Sequence, residues 1–158
     1  TLKIARQTLV NNGLSHIHIC PETMGKINQL GTLEEVMELC KVDESFIPCS
    51  DFGHLNGRTF GLVNTKEQFA KVLETIEKEL GNEKLKCFHS HFSKIEYTTN
   101  GGEKKHLTFE DEIFGPKFEP LAELIVSKNL HPHFICESAG TQAEDALYMK
   151  KAYFNCKE

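Results

Sequence analysis

The sequence has no two cysteines at CxxC spacing; its six, Cys20, Cys40, Cys49, Cys87, Cys136 and Cys156, are scattered. That removes the thiolate pattern of a structural zinc site. Most of them fall inside apolar strand or helix patterns, which implies buried thiols in a reducing cytoplasm rather than disulfides. No apolar run approaches the roughly 20 residues of a membrane helix, and no signal-peptide pattern opens the chain, so no membrane partner is expected. There is no excess of positive charge: 18 basic residues face 23 acidic ones, a net charge of −5. A large electrostatic nucleic-acid surface is therefore disfavoured, although bound divalent ions would add positive charge locally. Gly101-Gly102 lacks the spacing and the following helix of a phosphate loop, and no GxSxG or paired nucleophile motif occurs. Methionine and a leading strand are absent from the start. The chain runs at once into helical spacing, as expected of a piece of a longer protein.

What is there is ordinary globular composition, 39% hydrophobic and 26% charged over 158 residues, enough for a single domain spanning 1–158. Residues 2–12 have a helical face of Leu2, Ala5 and Leu9 with Gly13 as the stop. Ser15 to Cys20 alternates as a strand. Thr32-Leu33-Glu34-Glu35 and Thr65-Lys66-Glu67-Gln68 are capping boxes, the second opening a helix with an apolar stripe of Phe69, Val72, Leu73, Ile76 and Leu80. Strands are predicted at 45–51, 85–92 and 133–137, helices at 116–128 and 142–153, and a long polar loop at 97–112. A leading helix followed by four strand–helix units predicts an α/β fold, a partial (β/α)8 TIM barrel. Four strands leave an open barrel edge, which the missing half, a second copy in a homodimer, or a rearranged edge would cover.

Each predicted strand ends in a metal-ligating residue: Glu22, Asp51, His91 and Glu137. Three carboxylates and one imidazole suit zinc, manganese or iron, and such barrels keep their chemistry at the C-terminal strand ends. Singly, a strand-end carboxylate is better explained by a loop cap or an ion pair. Asp51-x-x-His54 sets two ligands on one strand-to-loop turn, diverging enough to serve neighbouring metals. His106, in the polar loop, reads either as a ligand or as a solvated histidine. Arg58 reads as a solvated cation, in reach of a phosphate. His16, His18, His89, His131 and His133 are assigned to the lining or the surface, and Cys49, Cys87 and Cys136 to packing within strands.

These residues resemble the C-terminal half of the endonuclease IV family, the zinc-dependent apurinic/apyrimidinic endonucleases. Glu22-Thr23-Met24-Gly25 is similar to that family's Glu-Asn-Thr-Ala-Gly stretch, Asp51-Phe52-Gly53-His54 to its Asp-x-x-His turn, Ser90-His91-Phe92 to its histidine strand, and Ile135-Cys136-Glu137-Ser138 to its terminal glutamate strand. The resemblance spans essentially the whole chain. It implies that Glu22, Asp51, His91 and Glu137 complete one zinc, that His54 and His106 hold another, and that Glu22 bridges. Two or three zinc ions belong to such a protein. The family places Asp-x-His where this chain has Lys104-Lys105-His106, so one ligand is absent unless Glu103 or Asp111 replaces it. The histidines of the family's first half lie outside this chain, which would be inactive alone.

The reaction the resemblance implies is metal-dependent hydrolysis of the phosphodiester 5′ to an abasic site in DNA base-excision repair, in the cytoplasm, with Glu22 and Glu137 as the catalytic carboxylates. DNA containing abasic sites would be the partner. A metal-dependent sugar isomerase or epimerase of the same superfamily, using manganese, is the alternative; a non-catalytic half-barrel that dimerises through its edge is a third.

Overall fold

The computed structural model describes residues 1–157. In chain order the helices are α1 (Leu2–Asn11), α2 (Leu33–Cys40), α3 (Phe52–Arg58), α4 (Lys66–Leu80), α5 (Asn82–Lys86), α6 (Glu119–Ser127) and α7 (Gln142–Asn155). The strands are β1 (Cys49–Asp51), β2 (His89–Phe92), β3 (Lys94–Thr98), β4 (Gly102–Leu107) and β5 (His133–Cys136). β1, β2 and β5 form a parallel sheet in the order β1-β2-β5, and β3 and β4 form a separate antiparallel ribbon.

This is α/β, but it is not the expected partial (β/α)8 barrel. Among the described residues there is one three-stranded parallel sheet and one two-stranded antiparallel sheet, without the strand–helix succession of a barrel. The predicted first strand is reduced to an isolated parallel bridge, Glu22↔Cys49. Its carbonyls still accept from the neighbouring segment (Ile47 N to Ile19 O, 3.2 Å; Cys49 N to Pro21 O, 2.8 Å), but Pro21 and Pro48 have no N–H to return. The strand predicted over 85–92 begins late because Leu85 and Lys86 belong to α5. The predicted polar loop is largely the β3–β4 hairpin. Asn100-Gly101-Gly102 is its turn signal, and Gly102 sits at φ +74, where a side chain would be strained.

Strand alternation then separates site from core. Asp51 and His91 are register partners on one face, while Phe92 points to the other. Phe92 stacks edge-on against Phe118 (5.0 Å between centroids) and Phe109 (5.8 Å), and Phe52 does so against Phe69 (5.3 Å). The fully buried rings of Phe52, Phe69 and Phe92 each contribute about 2–3 kcal/mol by leaving water. Because Phe52 follows Asp51 and Phe92 follows His91, the core clamps the ends of the strands that carry the ligands. The helices predicted from capping boxes are present: Thr32 accepts from Glu35 N at 3.1 Å at the head of α2, and the Thr65–Gln68 box heads α4. None of the helices is long and apolar enough to cross a membrane. The described cysteines are all free thiols; Cys40, Cys49 and Cys136 are buried, whereas Cys87 is exposed just before β2 rather than packed inside it.

Candidate metal centre

Four segments converge on one point. Glu22 arrives on the bridged segment, Asp51 at the end of β1, His91 in β2 and Glu137 one residue beyond β5, where its N–H donates to Phe92 O at 3.1 Å. One potential ligand atom from each lies within 4.8 Å of all the others. His91 Nδ1 is 2.9 Å from Glu22 Oε1 and 3.2 Å from Glu137 Oε1. Ligand atoms around a tetrahedral zinc, with bonds of about 2.0–2.1 Å, stand roughly 3.3 Å apart, so this spacing suits a small divalent ion.

Asp51 supplies the sharper test. It is fully buried; Oδ1 caps α3 by accepting from His54 N at 2.6 Å, whereas Oδ2 has no hydrogen-bond partner and only His54 Nδ1, at 3.4 Å, beside it. A buried carboxylate oxygen without a partner costs several kcal/mol unless a cation meets it. The donor set therefore fits a metal.

A second cluster adjoins the first: His54, Glu103 and His106 also bring ligand atoms within 4.8 Å of one another. The imidazoles are preset for it. His54 Nδ1 is 2.9 Å from Thr23 O and His106 Nδ1 is 2.9 Å from Ser93 Oγ, so both Nε2 atoms face Glu103, at 3.5 and 3.7 Å. A ring nitrogen held by a carbonyl or hydroxyl while the other faces the ion is the usual arrangement of a ligating histidine. Removing the hydroxyl with Ser93→Ala is expected to weaken metal binding at this cluster by about tenfold, measured by competition with a fluorescent chelator. Unchanged affinity would mean that Ser93 does not orient His106.

Glu103 reaches the cluster because β4 has a bulge. Ile95 pairs with His106, Glu96 with Lys105 and Tyr97 with Glu103, leaving Lys104 as the extra residue. Lys104 and Lys105 both turn to Glu96 (2.6 and 3.3 Å) on the outer face, and Glu103 and His106 share the inner one. Gly25 clears the space: a Cβ there would lie 2.6 Å from Glu103 Oε2. Glu103, left open as a replacement ligand on sequence grounds, is thus in place. Asp111 is not, its Oδ1 accepting from Ile113 N (3.0 Å) and Phe114 N (2.7 Å). The Asp51–His54 pair lies at a helix N-terminus, not on a strand-to-loop turn. Arg58 is neither a solvated cation nor free for a phosphate, since its guanidinium donates to Lys26 O (2.7 Å), Gln29 O (3.1 Å) and Met24 O (3.2 Å).

Without metal, the carboxylates are balanced by the histidines among them. Burial opposes ionisation of Glu22, yet hydrogen bonds from His54 and His91 prevail and hold its carboxyl down to about 2. Burial also opposes a charged His54, but the hydrogen bond to Glu22 and the charges of Asp51 and Glu103 lift it to about 9. Burial pushes Asp51 up to about 6 against the pull of His54. Without metal, His54 contributes stability that is complete below its ordinary 6.5 and lost as pH rises through 9. Glu22 contributes stability present above 4.5 and lost as pH falls through 2. Asp51 favours folding below 3.8 and loses that as pH rises through 6. The metal-free protein is accordingly expected to melt highest at about pH 4 to 4.5 and progressively lower toward 9. Added zinc should raise the midpoint more at pH 9 than at pH 6, because ligands must shed protons to bind it. A metal-free midpoint that climbs toward pH 9 would contradict this assignment of charge.

Comparison with known proteins adds little to this geometry. No family model matches the chain, and no solved structure matches it, so nothing there supports a barrel. Over 135 residues the chain is 34% identical to an uncharacterized protein of Methanocaldococcus jannaschii, an alignment covering 85% of this chain and 48% of that protein. The chain thus spans about half the length of the curated relative it matches.

Proposed function

We propose that this chain carries the metal centre of a zinc-dependent phosphodiester hydrolase, an endodeoxyribonuclease that incises DNA 5′ to abasic sites. The observation that carries the reading is the position of Glu22. Its Oε1 lies 2.9 Å from His91 Nδ1 in one cluster and 3.4 Å from Nδ1 of His54, behind the Nε2 that faces Glu103, so one carboxylate ties the first cluster to a ligand of the second. Glu22, Asp51, His91 and Glu137 would hold one ion, and His54, Glu103 and His106 a second. Bound there, a metal pair supplies Lewis acidity, polarising a phosphoryl oxygen and acidifying water.

The protein groups do the rest. Glu22, with its carboxyl held near 2, stays ionised at neutral pH and orients water by accepting its hydrogen bond. Glu137 Oε1 approaches His91 and Oε2 lies 4.0 Å from His106 Nδ1, so it borders both clusters and would help position that water. Bound cations offset the chain's negative charge where a phosphate would dock. An abasic nucleotide has no base to unstack and is cheap to extrude toward such a centre. A sugar isomerase or epimerase would use manganese in the first cluster alone and leave Glu103, His54 and His106 without a role; their convergence favours hydrolysis.

The test is incision of a duplex with one abasic site by the full-length zinc-loaded protein, with polymerase extension of the product. A 3′-hydroxyl end that extends supports the proposal. No incision, together with ketose–aldose interconversion in the presence of manganese, would replace it with the isomerase.

A further inference from the structure

A third group of ligating residues lies on the sheet face that carries Asp51 and His91, one residue pair nearer the strand starts. Cys49 in β1 and His89 in β2 are register partners, and with His91 they bring one ligand atom each within 4.8 Å of one another. The His89 and His91 rings stand edge to face with centroids 5.1 Å apart. Cys49 is buried, while both histidines are half-buried. Neither Cys49 nor His89 takes part in the two clusters described above.

We propose that Cys49, His89 and His91 form a site for a thiophilic metal ion, coupled to the carboxylate centre through His91. One thiolate and two imidazoles are a soft-to-borderline donor set, suited to zinc, cadmium or copper(I) and poor for magnesium or manganese. His91 already faces Glu22 and Glu137, so an ion held by Cys49 and His89 competes with the carboxylate centre for it. Thiophilic ions in excess would thereby inhibit whatever reaction the carboxylate centre performs.

Cadmium(II) titration of the reduced protein, read by the near-ultraviolet thiolate-to-metal band, tests the site without reference to activity. The expected result is a band saturating at about one cadmium per chain, abolished by Cys49→Ser and shifted at least about tenfold to higher cadmium by His89→Gln. Cys87→Ser, which removes the exposed thiol, should leave it unchanged. Glu22→Gln should also leave the band, so failure of the hydrolase reading and failure of this one are separable. Absence of the band in the wild-type protein, its survival in Cys49→Ser, or its loss in Cys87→Ser overturns the proposal. Should Cys49→Ser not fold, His89→Gln decides alone, and an unshifted titration overturns it.

Discussion

Replacing Glu22 with glutamine is expected to empty both metal positions at once. The amide keeps the shape of the side chain but loses the charge that faces His91 at 2.9 Å and His54 at 3.4 Å. Zinc content, measured by mass spectrometry after chelator washing, should fall from about two ions per chain to well under one. Incision by the full-length protein should fall at least about a thousandfold, equivalent to roughly 4 kcal/mol of transition-state stabilisation. Exposed Glu44, changed in the same way, is the control. If Glu22→Gln loses only one ion, the clusters are independent and the carboxylate does not bridge.

The second large effect concerns the hairpin, where structure and sequence alignment lead to opposite expectations. Alignment with an Asp-x-His motif nominates position 104 as the missing ligand, so Lys104→Asp should restore it. The bulge turns that residue outward toward Glu96, with Glu103 in the site instead. Glu103→Ala is therefore expected to abolish the second ion, weakening it at least about a hundredfold, and Lys104→Asp should not rescue it. Deleting Lys104 should be nearly harmless. With the extra residue gone, the ladder runs Glu103, Lys105, His106 without a bulge, and Glu103 and His106 still share the inner face. Only an exposed Lys104–Glu96 ion pair is lost, worth about 1 kcal/mol or less. Zinc stoichiometry of the three variants by isothermal titration separates the two accounts. Rescue by Lys104→Asp, or loss of the ion on deletion, would mean that Glu103 is not the ligand.

Much of the site was legible because its signals are local. A polar residue at the end of an apolar run, as in Phe88-His89-Ser90-His91-Phe92, marks a strand end with one side chain on each face, and Asp51-x-x-His54 is a three-residue spacing on one turn. The structure brings Glu22, Asp51, His91 and Glu137 together, and places His54 and His106 side by side with ring centroids 5.4 Å apart. Glu103 was harder to see, since nothing in Gly102-Glu103-Lys104-Lys105-His106 by itself says which residue leaves the ladder. A signal was present in Gly25, whose missing side chain makes room for Glu103, but it lies 78 positions away in sequence (103 − 25). The barrel expectation failed for a related reason. Alternating strand and helix signals resemble equal units in the sequence, yet Ser15 to Cys20 does not complete a ladder and the segment after β2 folds back as an antiparallel hairpin.

By itself, then, the sequence determined the helix ends, through the capping boxes at Thr32 and Thr65, and the chemistry available at each strand end. These depend on neighbours within about four residues, whose hydrogen bonds and side-chain faces follow from backbone geometry. Tertiary structure alone decided which strands pair, that the sheet stops at three strands, and that Lys104 faces outward while Glu103 joins His54 and His106. Those outcomes turn on which distant N–H and C=O groups find each other, and on the space that glycines and buried phenylalanines leave between segments.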